Sequence, residues 1–143
     1  MSLKRIVTVA TFVAALIAAI ASAQTTAFRV RLTTVPIDPG TQATTTGMGR
    51  AQATLDRRRL VVSGAFEGLQ GAASAARLHL GDALGVRGPA IHELEVSHAT
   101  QGSLSASIEL SAREVEALRA GQLYIQIHSE SAPDGNLWGW LLP

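Results

Sequence analysis

QLYIQIHSESAPDGNLWGWLLP, residues 122–143, spells out a β-hairpin. Leu123, Ile125 and Ile127 alternate with Tyr124, Gln126 and His128, the period of two that a strand needs to turn one face to a core and the other to solvent. Ser129 to Asn136 then gathers Ser, Pro, Asp, Gly and Asn, the residues whose backbone freedom or local hydrogen bonding makes turns. The return run places Leu137, Gly139 and Leu141 on one side and Trp138 and Trp140 on the other.

Working outward, the same alternation recurs. Ala27 to Thr34 sets Phe28, Val30 and Leu32 against Arg29, Arg31 and Thr33; Gly47 to Leu55 sets Gly49, Ala51, Ala53 and Leu55 on one face. Strands are also expected over Leu60 to Phe66, Ala75 to Leu80, Ala90 to Ala99 and Ser103 to Leu110. One short helix follows. Ser111 and Glu114 form a Ser-x-x-Glu capping box, Val115 and Leu118 give an apolar edge, and Gly121 stops it. Two turns of helix cannot persist alone, so this segment is a crossover packed against strands. Short, evenly spaced strands with Gly/Pro turns predict an all-β fold, an antiparallel β-sandwich of immunoglobulin-like or Greek-key type, with that one crossover helix. Phe28, Val30, Leu32, Leu94, Val96, Ile108, Ile125 and Ile127 are the expected core.

Residues 1–23 are composed differently. Lys4 and Arg5 precede an apolar run from Ile6 to Ile20, and Ala21-Ser22-Ala23 is a small-x-small cleavage signal before Gln24. This is the layout of a signal peptide, so the domain is expected over 24–143 in an exported protein, periplasmic or extracellular, with no stable membrane span after cleavage. Without Lys4 and Arg5 the basic residues fall from 12 to 10 against 11 acids, a formal charge of −1. Such a balance argues against a nucleic-acid partner, which needs a dense basic face. There is no cysteine, so an exported domain of this kind is disulfide-free and depends on its core alone. Asp56-Arg57-Arg58-Arg59 reads as a solvated hairpin tip, and GDALGVRGP, residues 81–89, as a glycine-rich loop without the Lys-Ser/Thr ending of a phosphate loop.

Candidate chemistry is sparse. No Gly-x-Ser-x-Gly elbow occurs, and Glu93 and Glu95 share a strand face that reads as solvated. Histidines number four: His79, His92, His98 and His128. Imidazoles on neighbouring strands are a common way to build copper or zinc sites, so His79 and His128 are candidate metal ligands, with His92 or His98 available as a third. Arg77 beside His79 opposes a dication. Hydrogen bonding of these imidazoles to loop backbone is the competing reading.

The chain resembles the CHRD domain, the module of chordin that also occurs in exported bacterial proteins. The resemblance rests on Arg77-Leu78-His79-x-Gly81, on Gly88-Pro89, and on the ordered series Leu118, Ala120-Gly121, Tyr124, His128, Pro133, Gly135 and Gly139. Two departures stand out. Arg77 replaces the first His of a His-x-His-like motif, and Trp138 and Trp140 stand where the family usually has Arg and Gln. The resemblance implies an immunoglobulin-like or related sandwich and little about function; with no catalytic constellation in the sequence, the expected role is a binding or structural module. The alternative is a copper or zinc protein whose site resembles that of superoxide dismutases. Because polar residues are usual at those two positions, Trp138 and Trp140, with Tyr124, are a candidate partner surface for a protein or carbohydrate ligand. Equally, the indoles could fill the core or lie beneath the C-terminal tail.

Overall fold

The computed structural model describes residues 24–143. Residues 1–23, where a signal peptide is expected, lie outside them. Eight antiparallel strands and one helix follow in order: β1 (Thr26–Thr34), β2 (Met48–Asp56), β3 (Arg59–Glu67), β4 (Ala73–Leu80), β5 (Ala90–Val96), β6 (Gly102–Glu109), α1 (Ala112–Arg119), β7 (Leu123–Ser129) and β8 (Leu137–Trp140). Every strand expected from the alternation is present, with ends shifted by at most three residues. β5 stops at Val96 because the amide of Ser97 donates to Ser103 O and Ser97 Oγ accepts from the Ser103 amide, which starts the turn into β6.

The strands close into a barrel in the order β1-β2-β3-β6-β5-β4-β7-β8. In β7-β4-β5-β6 three sequential strands are joined by a fourth, β7, beside the first of them, the Greek-key arrangement, and β3 lies beside the last of the same three. The fold is therefore all-β and antiparallel, but two separate sheets, as a sandwich would have, are not what forms. The reason lies at two short seams. β5 reaches β6 through Glu95↔Ser105 and Val96↔Leu104, and β1 reaches β8 through Thr33↔Trp138 and Thr34↔Leu137. Each seam holds two ladder pairs, whereas β2 and β3 pair along nine. A sandwich joined at both corners is a flattened barrel. Gly139 permits the β1–β8 seam, since a Cβ there would lie 2.6 Å from Val30 Cγ1.

The core follows the alternation. Phe28, Val30, Leu32, Leu94, Ile108, Ile125 and Ile127 are all buried, while Val96 is half-buried at the β5–β6 seam. The helix behaves as its caps require. Ser111 Oγ accepts from the Glu114 amide at 3.2 Å, Glu114 Oε2 accepts from the Ser111 amide at 2.8 Å, and Val115, Ala117 and Leu118 join the core. The crossover carries the chain past β5 and β4 to reach β7. The tip at Arg57 and Arg58 is exposed, with Arg57 at a φ of 57° and Arg58 paired with Glu109 at 3.4 Å. No helix among the described residues is long and apolar enough to cross a membrane.

β7 departs from the expected half-buried pattern, because all seven of its residues are buried. Ile125 and Ile127, both fully buried, face the core. Truncating either to Ala is expected to cost about 2–5 kcal/mol in denaturant unfolding; a loss near zero at both would mean that the inward face is the other one.

Candidate functional site

The outer face of β7 is covered because two loops fold over it. Residues running across the barrel wall form rows set by the register. One row is His79 (β4), Tyr124 (β7) and Trp140 (β8); the next is Glu93, Arg77, Gln126, Trp138 and Thr33, on β5, β4, β7, β8 and β1. Paired residues on neighbouring strands share a face, so these two rows stack into one patch. His79 lies on Tyr124 with ring centroids 4.8 Å apart and planes at 19°. Tyr124 meets Trp140 at 4.5 Å and the edge of Trp138 at 5.9 Å, and the two indoles meet at 6.1 Å. Arg87 places its guanidinium 5.5 Å from the Trp138 ring, a cation–π contact.

The 81–89 loop is tied down at Gly88. Its amide donates to Tyr124 Oη at 3.0 Å, and its carbonyl accepts from Tyr124 Oη–H at 3.1 Å and from His79 Nδ1–H at 2.9 Å. Only glycine fits there, since a Cβ would overlap the carbonyl oxygen of Leu80. The 130–136 turn covers the other end. His128 Nδ1–H donates to Pro133 O at 2.9 Å and Gln126 Nε2 donates to Asp134 O at 3.1 Å. Asn136, fully buried, donates to Thr46 O at 2.7 Å and accepts from Ser129 Oγ at 2.7 Å, which fastens the turn to the segment before β2.

Three of the sequence candidates therefore sit differently from their expected places. Tyr124, read as part of an exposed partner surface, is 1% exposed, because the Gly88 loop closes over it. Trp138 and Trp140 are neither in the core nor fully open; both are half-buried on the outer wall. His79 and His128 do come together, with ring centroids 6.3 Å apart. Both use Nδ1–H on a backbone carbonyl, so both Nε2 atoms carry the lone pair. His128 Nε2 lies 3.4 Å from Gln126 Nε2, while His79 Nε2 is buried without a partner. The other histidines are engaged elsewhere. His92 pairs in register with Leu78, on the face opposite His79, and its Nε2 meets Glu114 Oε2 at 3.1 Å; His98 Nδ1–H donates to Ala73 O. Among the described residues no three His, Cys, Asp or Glu side chains could hold one ion. Glu93 is bound to Arg77 at 2.6 Å.

Sequence reasoning missed a second feature. A cleft of about 940 Å³ lies beside the indoles, over the outer wall of β1, β2, β3 and β8. Arg29, Arg31 and Arg50 line it together with Trp138, Trp140 and Leu84, and no acidic residue does. All three arginines are exposed, none forms an ion pair among the described residues, and Arg31 stands directly opposite Arg50 in the β1–β2 register. The arginines were visible as polar members of alternating strands. Their juxtaposition with Trp138 and Trp140 needed the β1–β8 seam, which no local pattern announces.

Burial holds the His79 imidazole below the ordinary value of 6.5; the Gly88 carbonyl opposes this, and the positive charge of His128, Arg77 and Arg87 reinforces it. The unfolded chain then takes up the proton at higher pH than the folded one, so stability is full above 6.5 and declines as pH falls towards the lowered folded value. Melting profiles from about pH 8 to about pH 5 should fall more steeply for the wild type than for His79→Phe. Parallel profiles would show that His79 titrates alike in both states. Tyr124→Phe should cost about 1–3 kcal/mol, because it leaves the Gly88 amide beneath the loop without its acceptor.

Comparison with known proteins places the chain at the level of family. Neither the curated proteins nor the solved structures offer a match to the chain. The family model described as CHRD domain matches residues 16–141 of the 143, and so spans all eight strands and both rows of the outer patch; the chain belongs to the CHRD domain family.

Proposed function

We propose that the protein is an exported, non-enzymatic binding module whose ligand, a protein or a carbohydrate, docks against Trp138 and Trp140. The observation that carries this reading is the pair of half-buried indoles in one face, bordering a cleft of about 940 Å³. Large aromatic rings with one side anchored and one side open lose little conformational freedom on binding, and such residues dominate binding energy at interfaces. Tyr124 supports them from below and does not itself touch the ligand. Export is supported by the charged, apolar and small-residue order of residues 1–23.

Two measurements test the reading. Intact mass of the protein recovered from its native exported fraction should begin at Gln24; a mature species retaining Met1 overturns the cleaved signal. Tryptophan emission should be partly quenched by iodide in the free protein and protected when an immobilised saccharide or peptide library supplies the ligand. Trp140→Ala should abolish that capture with the fold intact by circular dichroism. Capture unaffected by this substitution would move the binding surface elsewhere.

A second reading is favoured by one observation. His79 Nε2 is a buried lone pair without a partner, close to a second imidazole whose Nδ1–H is likewise fixed by a carbonyl. Such anchoring is what orients metal-ligating histidines. Two imidazoles fall short of the three protein ligands of a catalytic zinc site. Copper in its monovalent state accepts two, although Arg77 and Arg87 both act on His79 with positive charge. Elemental analysis of protein purified without a histidine tag decides the matter. Stoichiometric copper lost on His128→Ala supports the site, and protein free of copper and zinc after incubation with either ion removes it.

A further inference from the structure

We propose that the cleft binds an acidic saccharide, with a carboxylate held between Arg31 and Arg50 and a sugar face laid against the open side of the indoles. The proposal deepens the binding-module reading and rests on it.

The argument begins with an electrostatic cost. Arg31 and Arg50 are cross-strand partners, and Arg29 follows two residues before Arg31 on the same face. Like charges directly opposite one another destabilise a sheet. No residue lining this cleft is acidic and none of the three is ion-paired among the described residues; Glu67, which borders the adjoining cleft with Arg31 and Arg50, forms no ion pair among them and is a single carboxylate against three guanidinium groups. Two other cations of the outer wall are already occupied. Arg77 is paired with Glu93 and Arg87 lies over Trp138. The protein as a whole is near neutrality, so this is a local positive cluster on a balanced surface. An anionic group of the ligand is the natural counter-charge, and paired guanidinium groups suit a carboxylate's two oxygens.

The chemistry beside the arginines selects the rest of the ligand. Trp138 and Trp140 meet at 64°, which makes an aromatic corner and not a flat wall. Thr33, Gln52 and Ser63 supply hydroxyl and amide groups along the same cleft. Aromatic faces next to such groups match a ring that is apolar on its C–H face and hydroxylated at its rim. An acidic peptide is disfavoured by the topology. β1, β2, β3 and β8 are each paired on both sides in the closed barrel, so no strand edge here can accept a peptide backbone. Three arginines also make too small a footprint for nucleic acid.

The test is a calorimetric titration with three probes: a galacturonate tetramer, the matching neutral galactose tetramer, and an aspartate octapeptide. The galacturonate tetramer should bind, and the affinity should fall as salt is raised. Arg31→Gln and Arg50→Gln should each weaken it about tenfold or more, while the melting temperature stays the same or rises as the repulsion is relieved. A purely structural role for these arginines would lower stability instead. Binding of the neutral tetramer as tightly as the acidic one overturns the carboxylate role and leaves the indole surface standing. Binding of the peptide alone overturns the saccharide. No binding by any probe, with unchanged iodide quenching of tryptophan, overturns the proposal and removes the support for the indole surface too.

Discussion

Everything in this molecule hangs on β7 being buried on both faces. Its inner face, Leu123, Ile125 and Ile127, is ordinary core. Its outer face carries Tyr124, Gln126 and His128, whose polar atoms lie in a nearly dry environment. A buried donor without an acceptor costs more than a hydrogen bond returns. The loops that cover this strand therefore cannot be arbitrary; each must bring a backbone group to a named atom. Gly88 meets Tyr124, Pro133 meets His128 and Asp134 meets Gln126. The strand thus dictates the paths of two loops far apart in sequence, and the first of them lays Arg87 over Trp138.

This arrangement accounts for which parts of the protein were legible in its sequence. Strand parity was readable because burial on one side imposes a period of two, and Phe28, Val30 and Leu32 obey it without exception. The capping box at Ser111 and Glu114 was readable because both partners lie within one turn. The closure of the barrel was not. It depends on Thr33 and Thr34 meeting Trp138 and Leu137 across nearly the whole chain, and two ladder pairs leave no periodic trace. The same limit hid the cover over Tyr124. An alternating strand with polar residues on one side looks solvated whether water or a loop lies above it, and only the partners at Gly88 and Pro133 distinguish the two.

His79 and His128 illustrate how one residue pattern serves two chemistries. Their ring centroids lie 6.3 Å apart across β4 and β7, and the Nδ1–H of each is fixed on a backbone carbonyl, an anchoring that metal-ligating histidines also use. Those bonds also hold the loops down, which is sufficient reason for both residues to be histidine. Arg77, with Gln126 as its register partner and Glu93 as its counter-ion, occupies the position where a further imidazole would have widened the ligand set.

The narrow seam between β1 and β8 bears on motion. Native proteins open first where few backbone bonds and few packed side chains resist. Here Thr33↔Trp138 and Thr34↔Leu137 are supplemented only by Val35 N donating to Asn136 O at 3.0 Å and by the Arg29–Leu142 bridge. β8 is four residues long, against nine for β1. Amide exchange at this junction should outpace exchange in β2 and β3, so the wall of the barrel has a zipper, and both indoles are stitched into one side of it. Fluctuation of the junction and reshaping of the arginine-lined cleft are then a single motion: whatever rests in the cleft, touching β1 on one side and β8 on the other, acts as a clasp on the barrel.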